Sequence, residues 1–151
     1  MAAVGVTKGY QKHAWIAFLV LGGLFSVLGI FGILAGAGWI SPDYVAPVQL
    51  ISGMTWSQIQ SSSPGSAKFI TSMVSVVGYA ALGVGIFTIA VSATAYRKWE
   101  RWAWYTMLYW PLISIGVATG ALSGGEPFFA IFLIISIIGL LLPYRKFFPK
   151  K

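Results

Sequence analysis

The chain has 151 residues, 58% hydrophobic and 9% charged, with a mean hydropathy of +0.82. A soluble domain carries roughly 25% charged residues, so this composition excludes the ordinary soluble classes and describes an all-α integral membrane protein with a single domain over residues 1–151. Cysteine is absent, which removes disulfides, thiol redox couples and thiolate metal sites. The net charge of +7 lies beside apolar runs and so points to anionic lipid headgroups, not to nucleic acid.

Lys8, Lys12 and His13 lead into the uncharged run Ala14–Gly36. As a helix its 23 residues extend ~34 Å, enough to cross a bilayer core, whereas a signal-peptide apolar region is shorter. We read it as a retained first span. Residues 37–68 form the longest polar stretch, with Pro42, Asp43, Pro47, Gly53 and the run Ser61-Ser62-Ser63-Pro64-Gly65-Ser66. Within it Thr55-Trp56-Ser57-Gln58 has the pattern of a capping box, which predicts a short interfacial helix from Trp56 to Ser61. Trp56 and Ile59, three apart, either dip into the headgroup layer or belong to a capped loop helix packed on the outer end of a bundle; the second reading is preferred. Ser63-Pro64 is a good helix start, with Ser as N-cap and Pro in the first turn.

From Phe69 to Tyr96 there is no charge, and the second span is expected over 69–96. It ends at Tyr96-Arg97-Lys98-Trp99-Glu100-Arg101-Trp102-Ala103-Trp104-Tyr105, a basic and aromatic hinge whose cations stay out of hydrocarbon while its rings favour the headgroup region. A third span over 102–123 contains Pro111, which should kink it. Gly124-Gly125-Glu126-Pro127 turns the chain into a fourth span over 127–144, and Arg145-Lys146-Phe147-Phe148-Pro149-Lys150-Lys151 is a basic stop.

Every Lys and Arg except Lys68 falls on the side of the hinge if that hinge is cytoplasmic. The positive-inside rule then puts both termini in the cytoplasm, and four spans in up-down-up-down order agree with it. The residence is a multi-pass position in a plasma membrane. Arg97, Lys98, Arg101, Trp102, Trp104, Arg145 and Lys146 form the inner headgroup face. Asp43 and Glu126 fall outside and together form a possible outer polar site.

Small residues mark the packing faces. Gly22, Ser26, Gly29 and Gly36 share one face of the first span, and Ser75, Gly78 and Gly85 one face of the second; Gly116 and Gly120 form a GxxxG in the third, read as intramolecular packing ahead of a homodimer face. The fourth span is bulkier, with Ser136 and Gly139 as its small residues.

The spans contain no ionisable residue, and an embedded charge is the usual flag of transport or catalysis in a membrane protein. His13 beside Lys12 reads as a flank residue, Glu100 as a local counter-charge that orders the hinge. Tyr79, Tyr109 and Trp110 read as core fillers with hydrogen-bonded tips. No catalytic residue, metal site or cofactor site emerges.

The stretch Arg97-Lys98-Trp99-Glu100-Arg101-Trp102-Ala103-Trp104-Tyr105 resembles a basic-basic-Gly-Glu-Arg-Trp-Ala-Trp-Tyr segment of small, uncharacterised four-span membrane proteins of bacteria and archaea. Gly53-Met54-Thr55-Trp56 and Ser63-Pro64 resemble the outer loop of the same group. Trp99 stands where that segment has glycine. The resemblance covers the region from Gly53 to Tyr105 and implies the four-span fold without any activity to transfer.

The expected function is therefore a non-catalytic membrane subunit, an accessory or structural component that binds lipid and packs against other membrane chains or copies of itself. A small homo-oligomeric transporter or channel is the alternative, with a path lined by Ser75, Thr88, Ser114 and Thr119; an enzyme acting on a lipid or quinone is the third reading.

Overall fold

The computed structural model describes residues 13–44, 48–120 and 128–149, and all the regular structure among them is helical. Helix α1, Ala14–Gly36, runs for 23 residues. It closes on Gly38, whose φ of 78° is one that glycine adopts without penalty. The Gly38 N–H donates to Ala35 O at 3.1 Å and the Trp39 N–H to Leu34 O at 3.0 Å, the paired bonds that satisfy carbonyls at a helix end. A 3-10 turn at Pro42–Tyr44 and the short helix α2, Val48–Ser52, follow.

Helix α3, Trp56–Ser62, starts with the capping box its sequence predicts: the Thr55 N–H donates to Gln58 Oε1 at 2.8 Å and the Gln58 N–H to Thr55 Oγ1 at 3.4 Å. The preferred reading of α3 as a packed loop helix holds at Ile59, which is buried with Val48 and Ala67, and Trp56 and Ile70 pack against the three. Helix α4, Pro64–Val91, begins at the Ser63-Pro64 boundary and runs 28 residues.

Two departures from regular helix follow. After Val91 the chain loosens into a π turn over Ser92–Tyr96, where the Arg97 N–H reaches back five residues to Ser92 O at 3.2 Å and the Glu100 N–H to Ala95 O at 3.1 Å. Nothing in the apolar pattern announces this turn. The third expected span is two pieces, α5 over Arg101–Met107 and α6 over Tyr109–Gly120. Pro111 has no N–H to give the Met107 carbonyl four residues back, so the helix closes at Met107 and restarts beyond Leu108. The last apolar helix, α7, covers Phe128–Leu141, shorter than the expected 127–144, and α8, Tyr144–Phe147, is a separate turn after Pro143.

The chain divides into two compact units. One comprises the described parts of Gly22–Phe87 and Gly120–Gly125. In it α1 and α4 meet through glycine. A Cβ at Gly32 would fall 2.8 Å from the Gly78 Cα, and one at Gly78 would fall 2.6 Å from Ile33 N and 2.8 Å from Gly32 C. Gly29 lies against the backbone of Leu82 and Gly78, Gly36 against Ser75, and Gly85 against Ser26 and the Gly22 carbonyl. The Ser26 hydroxyl donates to Gly22 O at 2.8 Å within its own helix, leaving serine to act here as a small packing residue. Such fit is what holds helices together where apolar contact gains nothing over lipid.

The other unit comprises the described parts of Met1–Leu21, Thr88–Thr119 and Glu126–Lys151. Its core is aromatic. Phe18, Tyr96, Trp110 and Phe147 are fully buried, and Trp110 stacks on Phe132 with centroids 6.1 Å apart and planes 7° apart. The Trp110 N–H donates to Thr88 Oγ1 at 3.2 Å. Of the three aromatic residues read as core fillers only Trp110 fits; Tyr79 is 62% exposed and Tyr109 is also exposed.

Gly78 has only backbone atoms in its way, so replacing it with alanine should destabilise the protein by about 1–3 kcal/mol, the usual cost of overpacking. Gly83 in the same helix has nothing within 4 Å of a Cβ, and Gly83→Ala should be neutral or stabilising by up to about 1 kcal/mol. Thermal unfolding of the two variants in detergent tests the contrast; equal midpoints would contradict the close approach.

Candidate functional site

The hinge and the C-terminal segment carry the seven residues predicted for the inner headgroup face. The frame of the hinge is a set of hydrogen bonds from two ring tips and a guanidinium to backbone carbonyls of α7 and the C-terminal segment. The Tyr96 hydroxyl donates to Gly139 O at 2.6 Å, the Trp104 N–H to Leu140 O at 3.1 Å, and the Arg101 Nε to Phe147 O at 3.2 Å. Gly139 is small for a reason visible here: a Cβ would fall 2.8 Å from Phe18 Cε2. Tyr96 in turn has Phe18 edge-on at 5.0 Å and Phe147 at 4.7 Å.

The cations stand around this base. Arg97, Lys98, Arg101 and Arg145 are exposed and Lys146 half-buried. The Arg97 guanidinium lies 5.3 Å from the centroid of the Trp15 ring and the Arg101 guanidinium 5.7 Å from that of Phe148, so both use an aromatic face, and Arg101 also gives its Nε–H to Phe147 O. The two tryptophans of the motif serve differently. Trp104 is half-buried against Tyr144 and Phe148, whereas Trp102 is exposed and gives its N–H to Glu100 Oε2 at 2.6 Å. Glu100 thus anchors an indole at the first turn of α5.

Trp99 sits at φ 64°, a left-handed conformation that costs a residue with a Cβ about 1–2 kcal/mol. Its ring meets Phe147 edge-on at 5.4 Å. The turn geometry is therefore one glycine suits, and here a ring contact offsets part of the strain.

The remaining candidates lie elsewhere or act otherwise. Asp43 is exposed in the 3-10 turn, where Ser41 Oγ donates to its Oδ2 at 3.3 Å; Glu126 lies outside the described residues, as do Lys8, Lys12, Lys150 and Lys151. A Cβ at Gly116 would meet nothing within 4 Å, and Gly120 ends α6. Among the described residues no three His, Cys, Asp or Glu side chains are grouped to hold a metal.

Two features escaped the sequence. Gly32, at the centre of the α1–α4 contact, continues the spacing from Gly29 to Gly36 in steps of three and four, so its signal was present. The second feature is a cavity of about 580 Å³ whose walls include Trp39, Ser41, Trp56, Gln60, Lys68 and Thr71. It is made by a loop folding over helix ends, which no local pattern encodes. No protein family, curated protein or solved structure matches this chain.

Replacing Trp99 separates the backbone and ring effects. Trp99→Gly and Trp99→Ala both lose the Phe147 contact, but only alanine keeps the left-handed cost, so the alanine variant should be the less stable by about 1 kcal/mol in denaturant unfolding. Equal stability would show that the turn does not hold Trp99 left-handed.

Proposed function

We infer that this chain is a four-span, non-catalytic membrane subunit, an accessory or structural component that packs against other membrane chains. The observation that carries this reading is the state of the two long helices. Both are long and apolar enough to cross a membrane, yet only 28% of the most apolar stretch of each is buried within the protein. The core helix of a soluble protein would be mostly buried. Here Phe69 and Val77 are 64% and 65% exposed, and such surfaces belong in lipid or against another protein. The position of α4 in mid-chain also argues against a cleaved leader for that helix.

On this reading α5 and α6 together make the third crossing and α7 the fourth. The hinge cations face the cytoplasm and meet anionic headgroups. Two of the four residues expected in a transport path, Thr88 and Ser114, are buried, and the Trp110 N–H donates to Thr88, which favours a packing role over a conducting one.

Crosslinking in native membranes followed by purification in mild detergent tests the role. The expected result is recovery of other membrane chains at a fixed stoichiometry. A lone monomer, with no adduct at any crosslinker length, would contradict it.

A further inference from the structure

The cavity between the end of α1, α3 and the start of α4 has no place in the reading above. We propose that it is a phospholipid headgroup site, with the phosphodiester on Lys68 and the adjoining glycerol and upper acyl chain on Trp39 and Trp56.

Size, depth and chemistry each bear on this. A volume of about 580 Å³ suits a headgroup with its glycerol and falls within the range of small-molecule sites. Its walls come from Ala35 near the end of α1 and from Pro64, Ala67, Lys68 and Thr71 at the start of α4, the ends of the two membrane-length helices, where a bilayer has its phosphates. Trp39, 79% exposed, and Trp56 supply indoles of the kind that settle at that depth. Lys68 is the one charged side chain among the described residues that line the cavity, and a lysine at a span end reaches out along its methylene stem to headgroup level.

The polar walls favour an anion of low charge. The Thr71 hydroxyl donates back to Ala67 O at 2.6 Å and the Ser41 hydroxyl to Asp43 Oδ2 at 3.3 Å. The side-chain donors left among these walls are the Lys68 ammonium, the Gln60 amide and the indole N–H groups of Trp39 and Trp56. The Asp43 carboxylate, held by Ser41 at the margin, repels a second negative charge. A diester with one negative charge, or a zwitterionic headgroup, is tolerated better than a phosphate monoester or inorganic phosphate.

The proposal needs α1 and α4 to lie in a bilayer but does not need the accessory role. Its test is photo-crosslinking of the full chain in liposomes carrying a headgroup-labelled diazirine phospholipid, with adducts mapped to the peptides bearing Trp39 and Trp56. Lys68→Gln should lower those adducts about five-fold, the effect of one surface charge, whereas Lys68→Arg and the hinge variant Lys98→Gln should leave them unchanged. Trp39→Ala, at an exposed position, should lower them too and keeps the test open if Lys68→Gln does not fold. Inorganic phosphate at the lipid's concentration should not compete. Unchanged adducts in a folded, membrane-retained Lys68→Gln protein would overturn the site, and full competition by inorganic phosphate would overturn the lipid as its ligand. Release of the wild-type chain by alkaline carbonate would instead sink the membrane reading itself, so the two failures are distinguishable.

Discussion

Close backbone approach at Gly32 and Gly78 is the constraint on which the first unit depends. In water two apolar helices would be driven together by burial, and the shape of their faces would matter second. In hydrocarbon that drive disappears, because a leucine gains nothing by leaving an acyl chain for another leucine. What remains is dispersion between surfaces that fit, together with weak polar contacts, and both fall away within an ångström of separation. Glycine at facing positions removes the side chains that would hold α1 and α4 apart. The bulky residues are displaced to the outward faces, where Phe69, Val76 and Val77 are exposed.

The second unit solves the same problem with rings. Its glycine, Gly139, makes room for Phe18, and its buried carbonyls at Gly139 and Leu140 are met by the tips of Tyr96 and Trp104. A large aromatic with a polar end is well suited to this place, filling volume and closing a hydrogen bond at once. The π turn at Ser92–Tyr96 and the left-handed Trp99 are local departures that adjoin these contacts. Each leaves irregular backbone near the end of a long apolar helix, where carbonyls and N–H groups must find partners, and the bonds from Arg97 and Glu100 back to Ser92 and Ala95 supply them. The cations are then carried on an aromatic base, with Arg97 over Trp15 and Arg101 over Phe148.

What was legible in the sequence was what depends on one segment at a time. The capping box at Thr55, the helix start at Pro64 and the break four residues before Pro111 follow from side chains acting on their own backbone, and they lie where those residues put them. The small-residue spacing of α1 and α4 was legible as a pattern, although Gly32 had to be seen in contact to be recognised. The exposure of Tyr79 and Tyr109 and the loop cavity depend on which segment folds over which, and one amino-acid sequence by itself carries little sign of that. The π turn was missed for another reason: it adds one residue to a uniformly apolar run and leaves the hydropathy unchanged.

The central claim is that the outward faces of the long helices meet hydrocarbon. Because the chain has no cysteine, single cysteines can be placed along 69–87 of α4 and spin-labelled in liposomes, and collision with oxygen can be compared with collision with a water-soluble nickel chelate. Labels at Val76 and Val77 should be open to oxygen and closed to nickel. Free access of nickel at those positions would mean that water covers these faces, and the membrane account would fail.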